Sequence, residues 1–145
     1  MNLRPYKKED AAKILSWIKD EREFRLWSAD RYKNYPCQPS DINDNYLNCM
    51  KTSSFYALTL EDNENVVGHL ILRNPGEDKT FVRLGFIIID DSIRKKVYGK
   101  KLIKEAIRYA KENIGVKEIN LGVFTNNLGA YECYKAAGFK VTSII

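Results

Sequence analysis

The stretch from Phe81 to Ile89 constrains the fold most, because its apolar side chains occupy both alternating faces. A strand with one wet face alternates apolar and polar residues, whereas a strand apolar on both faces must be covered on each side and sit centrally in a sheet. Ahead of it, Phe55 to Glu61 and Val66 to Arg73 read as strands joined by a turn at Asp62 to Asn65. Asn74, Pro75 and Gly76 mark the next turn, so the three strands form an antiparallel meander. The texture then changes. Leu102, Ile103, Ala106, Ile107 and Ala110 line one face of a helix whose other faces carry Lys100, Lys104, Glu105, Arg108 and Lys111. Gly115 supplies a left-handed cap. Ile119, Leu121 and Val123 alternate as a strand, and Asn126 or Asn127 caps a helix with the face Ala130, Cys133, Tyr134 and Ala137, closed by Gly138. Phe139 to Ile145 forms a last short strand. The second half therefore reads β-α-β-α-β with right-handed crossovers, and the whole chain is of the mixed α/β (α+β) class.

The first third is less regular. Leu3 to Tyr6 suits a short strand, and Asp10 is placed to cap a helix whose apolar positions are Ile14, Leu15 and Ile18, with Trp17 on that face or at its edge. From Glu21 to Met50 the pattern breaks: Phe24 and Trp27 suggest a helical turn, Pro36 and Pro39 a loop, and Ser40 a cap before Ile42, Tyr46 and Leu47. Trp27, Tyr32 and Tyr35 fit either a pocket wall or the core, with the core favoured.

A chain of 145 residues, 44% hydrophobic and 30% charged, is expected to form one domain over residues 1–145 without disulfides or metals. No segment approaches the roughly 18 apolar residues of a membrane span. Met1 to Asp10 is polar where a secretory signal needs an apolar block, so a cytoplasmic protein is expected. Cys37, Cys49 and Cys133 match neither a zinc site nor a redox pair and read as free thiols. His69 is the only histidine, which argues against a zinc hydrolase and against any catalytic triad that needs His. Within a strand it reads as structural rather than as a base. The net charge of +5 favours an anionic partner.

That charge gathers at one place. Between the end of the central strand and the helix beginning near Gly99, Arg94, Lys95, Lys96, Lys100 and Lys101 surround a turn. First-turn amides have no partner within a helix and the helix dipole adds positive potential, so such a turn can hold a diphosphate. Gly99 permits close approach. Charge by itself favours a solvated helix start, since surface lysines are common and contribute little. The combination of central strand, basic turn, helix start and the downstream motif favours the anion site.

Two segments resemble the GNAT superfamily of acetyl-CoA-dependent N-acetyltransferases. Arg94-Lys95-Lys96-Val97-Tyr98-Gly99-Lys100 is similar to the family's cofactor loop, and Asn127 to Phe139 resembles its Asn-x-x-Ala-x-x-x-Tyr-x-x-x-Gly-Phe pattern through Asn127, Ala130, Tyr134, Gly138 and Phe139. The resemblance implies a mixed central sheet and transfer of an acetyl group from acetyl-CoA to an amine acceptor of unidentified nature by direct attack. It implies that the amides from Arg94 to Lys100 bind the pyrophosphate of coenzyme A, that Ile87, Ile88 and Ile89 run beside the pantetheine arm, and that Asn127 contacts the cofactor. Tyr134 matches the tyrosine that protonates the departing thiolate, and an amide near Ile87 or Ile88 is placed to stabilise the oxyanion. No metal is required, and no covalent enzyme intermediate. Without the motif around it, Tyr134 would read as an amphipathic core residue.

Val97 stands where the family usually has its first glycine, which bars φ > 0 there but leaves the N–H in place. No acidic residue lies within Phe81 to Ile89 to serve as general base, and Asp90 and Asp91 at its end read as turn residues. The family's usual last strand is expected to be missing, with the edge beside Ile119 to Phe124 covered by the final strand or by a second subunit in a homodimer. Two other readings compete. A nucleic-acid or ribosome-binding module would use the Arg94 to Lys101 cluster, but the aromatics Trp27, Tyr32 and Tyr35 are remote from it and nucleic acid is disfavoured. An acyl-CoA sensor would bind without catalysis. No membrane partner is expected.

Overall fold

The computed structural model describes residues 1–28, 32, 35–52, 54–74, 80–90, 92, 96–116, 118–121 and 135, with Thr52, Lys96 and Val97 described at the backbone alone. Strand β1 (Asn2–Pro5) leads into helices α1 (Asp10–Ser16), α2 (Glu21–Ser28) and α3 (Pro39–Thr52). Strands β2 (Ser54–Asp62), β3 (Asn65–Asn74) and β4 (Phe81–Ile89) follow, then α4 (Lys96–Tyr109), a π-helical turn (Ala110–Ile114) and β5 (Glu118–Leu121). The strands lie in one sheet in sequence order, antiparallel from β1 to β4, with β5 parallel to β4.

The meander is the one that the turn residues predict. Asn63 and Glu64 both have positive φ, 50° and 69°, which matches the right-handed twist of a two-residue hairpin between β2 and β3. Gly115, at φ 79°, ends the π-helical turn with its N–H on the Ala110 carbonyl at 2.8 Å. Glycine alone takes that conformation without steric cost.

Alternation along the strands divides the core in two. Leu58, Leu60, Leu70, Leu72, Val82 and Leu84 pack against Leu102, Ile103, Ala106 and Ala110 of α4. Phe55, Ala57, Ile71 and Phe86 pack on the opposite face with Ile14, Trp17, Phe24, Ile42 and Tyr46 of α1, α2 and α3. Helices thus cover β4 on both sides, as its two apolar faces require.

The first third departs from its sequence reading at several points. Asp10 does not cap α1 but begins it, with Glu9 ahead of it making no capping bond. Its buried carboxylate accepts bonds from Arg4 Nη1 and Nη2 at 2.9 Å, the Lys7 amide at 2.8 Å and the Thr59 hydroxyl at 3.0 Å. The carboxylate thus pairs with a cation on β1 and takes the amide of Lys7 ahead of the helix, rather than an amide within it. Ser40 lies inside α3, which opens at Pro39, whose fixed φ suits the first helical position. Asp41 takes the bond from the Gln38 amide instead, at 2.9 Å. Ile42 and Tyr46 are buried, but Leu47, about 100° further round the helix, is 58% exposed. Trp27 and Tyr32 are core residues while Tyr35 is exposed, its ring resting 5.4 Å from that of Phe24.

Candidate active site

The register of β3 against β4 slips at one point. His69 faces Ile88 and Ile71 faces Gly85, so Leu70 lies opposite two residues, Phe86 and Ile87. This bulge changes which way the strand's side chains point. Val82 and Leu84 face α4 and so do Ile87 and Ile89, while Phe86 and Ile88 face α1 to α3. Phe86 takes a φ of 49°, a left-handed conformation that costs a side-chain-bearing residue roughly 1–2 kcal/mol. Buried contacts hold it there: Trp27 Nε1 donates to the Phe86 carbonyl at 3.0 Å, and the two rings lie 5.0 Å apart.

On its other side β4 pairs with β5. Its ladder with β5 runs from Phe81 and Glu118 to Leu84 and Leu121, reinforced by Arg83 Nε donating to the Asn120 side chain at 3.0 Å. Among the described residues, Gly85 to Ile89 have a strand partner only on the β3 side. Ile87, Ile88 and Ile89 are half-buried there, in a strand that leads straight towards α4.

Hydrogen bonds at Asp90 and Tyr98 tie the approach to α4 and its start to the sheet. The Asp90 amide donates to the Val67 carbonyl at 2.9 Å, and Asp90 Oδ1 accepts from the amide and hydroxyl of Ser92 at 2.9 and 2.8 Å, closing the turn. Tyr98 donates its hydroxyl to Asp62 Oδ2 at 3.0 Å, a bond that raises the phenol's pKa and anchors the helix to the β2–β3 hairpin. Gly68 lies beneath: a Cβ there would come 2.8 Å from Ile89 Cδ1 and 3.4 Å from Leu102 Cδ2. The first turn of α4 contains no acidic residue, so nothing in it offsets the positive end of the helix.

Of the residues expected in the cofactor loop, Lys96, Val97, Tyr98, Gly99 and Lys100 fall in this first turn. Val97 takes helical angles, which a β-branched residue tolerates, so its replacement of glycine leaves the run of amides intact. Lys100 is exposed, and Lys101 pairs with Glu105 at 3.0 Å. The Tyr98 side chain turns to the hairpin, so its amide rather than its ring is available to a ligand. Arg94, Lys95, Asn127 and Tyr134 lie outside the described residues.

His69 is fully buried on the face of α1 to α3, with Nε2 2.8 Å from the Tyr46 hydroxyl. Burial pushes its pKa down to about 4. An imidazole so enclosed and so weakly basic is structural. Asp90 is committed to Ser92, and the buried Cys37 thiol is pushed up to about 11 by burial, which leaves it protonated at neutral pH. Among the described residues, no three His, Cys, Asp or Glu side chains gather as a metal site would need, and no helix is long and apolar enough to cross a membrane.

Two residues of this site were not singled out by the sequence. Phe86 announces itself only through Gly85 and the unbroken apolar run after it, which a regular alternation would not give. Asp62 gave no signal, because its bond to Tyr98 spans the hairpin and the sheet.

Comparison with known proteins places these features in context. A family model described as the acetyltransferase (GNAT) family matches residues 13–139. No curated protein matches the chain by sequence. The fold is similar to that of spermidine N-acetyltransferase from Vibrio cholerae in complex with CoA and spermine, with a TM-score of 0.79 at 20% identity over 98% of this chain and 82% of that one. It is similar also to aminoglycoside acetyltransferase AAC(6')-Ib in complex with coenzyme A, with a TM-score of 0.79 at 18% identity over 99% and 86% of the two chains. The N-acetyltransferase PseH of Campylobacter jejuni gives 0.71 at 16% identity, over 99% and 90%.

Proposed function

The chain belongs to the acetyltransferase (GNAT) family, whose chemistry is transfer of an acetyl group from acetyl-CoA to an amine, and we propose how its own residues carry that reaction. The observation that carries the reading is the bulged β4, whose residues Gly85 to Ile89 pair, among the described residues, on the β3 side alone, followed by a helix with no acidic residue in its first turn. In this reading the amides from Arg94 to Lys100 hold the pyrophosphate of coenzyme A. Charge-assisted hydrogen bonds of this kind contribute about 1.5–3 kcal/mol each. The Lys100 and Arg94 side chains add screened attraction, and the pantetheine arm lies along Ile87 to Ile89, with Asn127 against it.

The amine attacks the thioester carbon directly. The Ile87 amide, at the bulge, donates to the oxyanion that develops on the carbonyl, and collapse breaks the carbon–sulfur bond. Tyr134 gives its proton to the departing thiolate, and the proton released by the amine leaves through water. The acceptor is an amine bound on the side of α1 to α3, and residues 1–145 act as one domain. The edge beside β5 is covered either by the final strand, Phe139 to Ile145, or by a second subunit in a homodimer, and light scattering at high concentration separates the two.

Tyr134→Phe is the direct experiment. Turnover is expected to fall about a hundredfold, within the usual range for loss of a general acid, while coenzyme A affinity by calorimetry stays unchanged. Undiminished turnover sinks the assignment. Release of free thiol from acetyl-CoA that depends on added amine separates an enzyme from a sensor of acyl-CoA. A panel of polyamines, aminoglycosides, amino acids and peptide N-termini identifies the acceptor.

A further inference from the structure

We infer that Trp27 is a positioning residue for acyl transfer: from α2 it holds the Phe86 carbonyl and so fixes the direction of the Ile87 amide at the bulge of β4. The inference rests on the proposed role of that amide and adds a residue that no motif marks.

The bulge sets up the requirement. With Leu70 facing two residues of β4, the peptide between Phe86 and Ile87 falls out of the regular ladder and needs another partner to define its plane. Phe86 is in the left-handed region at φ 49°, a conformation that persists in a bulky residue only where surrounding contacts over-determine it. Trp27, Tyr32 and Tyr46 supply such contacts from the side of α1 to α3. The Trp27 indole N–H reaches across 59 residues of sequence to the Phe86 oxygen, in a bond that is fully buried. Its ring is held in turn by Tyr32, stacked at 6.3 Å with planes 13° apart, and by Phe24 at 6.2 Å.

The step from Trp27 to chemistry follows from peptide geometry. Carbonyl and amide of one trans peptide are coplanar and point in opposite directions. A donor fixed on the Phe86 oxygen therefore fixes where the Ile87 N–H points. Catalytic donors gain their effect from being aimed before the charge develops, so a peptide free to rock about the bulge would lose part of that effect. Trp27 touches neither the thioester nor the amine in this scheme. Because α2 belongs to the helices on the proposed acceptor side, it also links their packing to the reaction centre.

Trp27→Phe keeps an aromatic ring and removes the N–H. The expected result is a fall in kcat of about tenfold, smaller than the loss of an oxyanion donor itself, with the KM for acetyl-CoA and the calorimetric Kd for coenzyme A within twofold of the parent. The assay uses acetyl-CoA with whichever of spermidine, kanamycin, lysine or a glycyl peptide the parent protein turns over best. Replacing Trp27 with benzothienylalanine, in which sulfur stands for the N–H in a ring system of the same shape, gives the same kcat loss with the packing kept. That variant decides the matter if Trp27→Phe does not fold. A merely structural Trp27 would lower the melting temperature, or raise KM and Kd, while leaving kcat intact in the isosteric variant, and that result overturns the inference. Failure of the underlying reading looks different: the parent protein itself would bind no coenzyme A or release no thiol, and the inference would fall with it.

Discussion

Buried polar residues carry the sharpest consequences at the scale of single side chains. His69 ordinarily titrates at 6.5 but is held down to about 4 by burial. Between those values the unfolded chain binds a proton that the folded one refuses, so the stability is present above pH 6.5 and is lost as pH falls towards 4. The loss amounts to about 3 kcal/mol, and urea denaturation across that window should show it, with His69→Gln flattening the slope. Asp10 acts lower on the scale. Burial opposes its charge, yet the bonds from Arg4, Lys7 and Thr59 outweigh that and hold the carboxyl below its ordinary value of 3.8. Its contribution is present above that value and disappears as pH falls through the depressed one, so the two windows do not overlap. Asp10→Ala leaves the Arg4 guanidinium, only 13% exposed, without its main partner. Glu61 still pairs with Arg4 Nε at 2.7 Å, so a cost of about 1.5–3 kcal/mol is expected, read as a lower urea midpoint at neutral pH. The sequence marked His69 as a strand histidine. Its uncharged state at neutral pH follows from burial among Tyr46 and the rings around it, which no local pattern shows.

Helix α4 and strand β4 were the most legible elements. The strand's bounds fall where the apolar run predicts, and the helix buries Leu102, Ile103, Ala106 and Ala110 as its spacing predicts. A period of two or of 3.6 needs no distant partner to be seen. What the period did not show is how closely the two elements approach. Gly68 leaves room for Ile89 and Leu102 where a side chain would stand. Alanine there is accommodated by a swing of Ile89, whose Cδ1 is the nearest atom, but valine also meets the Leu102 side chain. Gly68→Val should destabilise by about 1–3 kcal/mol, as overpacking does, and should weaken coenzyme A binding because the start of α4 is displaced. A melting scan and a calorimetric titration check both parts. In α1 and α3 the pattern was harder to read, since Asp10 and Ser40 looked like caps and Leu47 like a core residue. Proline at the first helical turn and a cation on the neighbouring strand settled those positions instead.

Among the described residues, a five-stranded sheet is covered on one face by α1, α2 and α3 and on the other by α4. The charge excess of +5 includes a cluster around the turn ahead of α4 and its first residues, where an anionic ligand is proposed to sit. Attraction between exposed charges is screened over about 10 Å at 0.1 M salt. The rise in melting temperature produced by acetyl-CoA should therefore shrink as salt is raised from 0.05 to ~0.5 M, without vanishing, because the backbone amides remain. Complete insensitivity to salt would show that the lysines contribute nothing.

The amino-acid sequence by itself determined the class of fold, the order of its elements from β2 to β5, and the family, because alternation, helical spacing and a motif within a dozen or so residues are local properties. Tertiary structure decided which residues stand behind the chemistry. The bulge at Phe86, the indole bond from Trp27 that holds it, the Tyr98 anchor on Asp62 and the buried partners of His69 and Asp10 all join residues far apart in the chain. Such pairs form only once two packed layers bring their elements together. Burial then raises the cost of leaving any one of them unmatched.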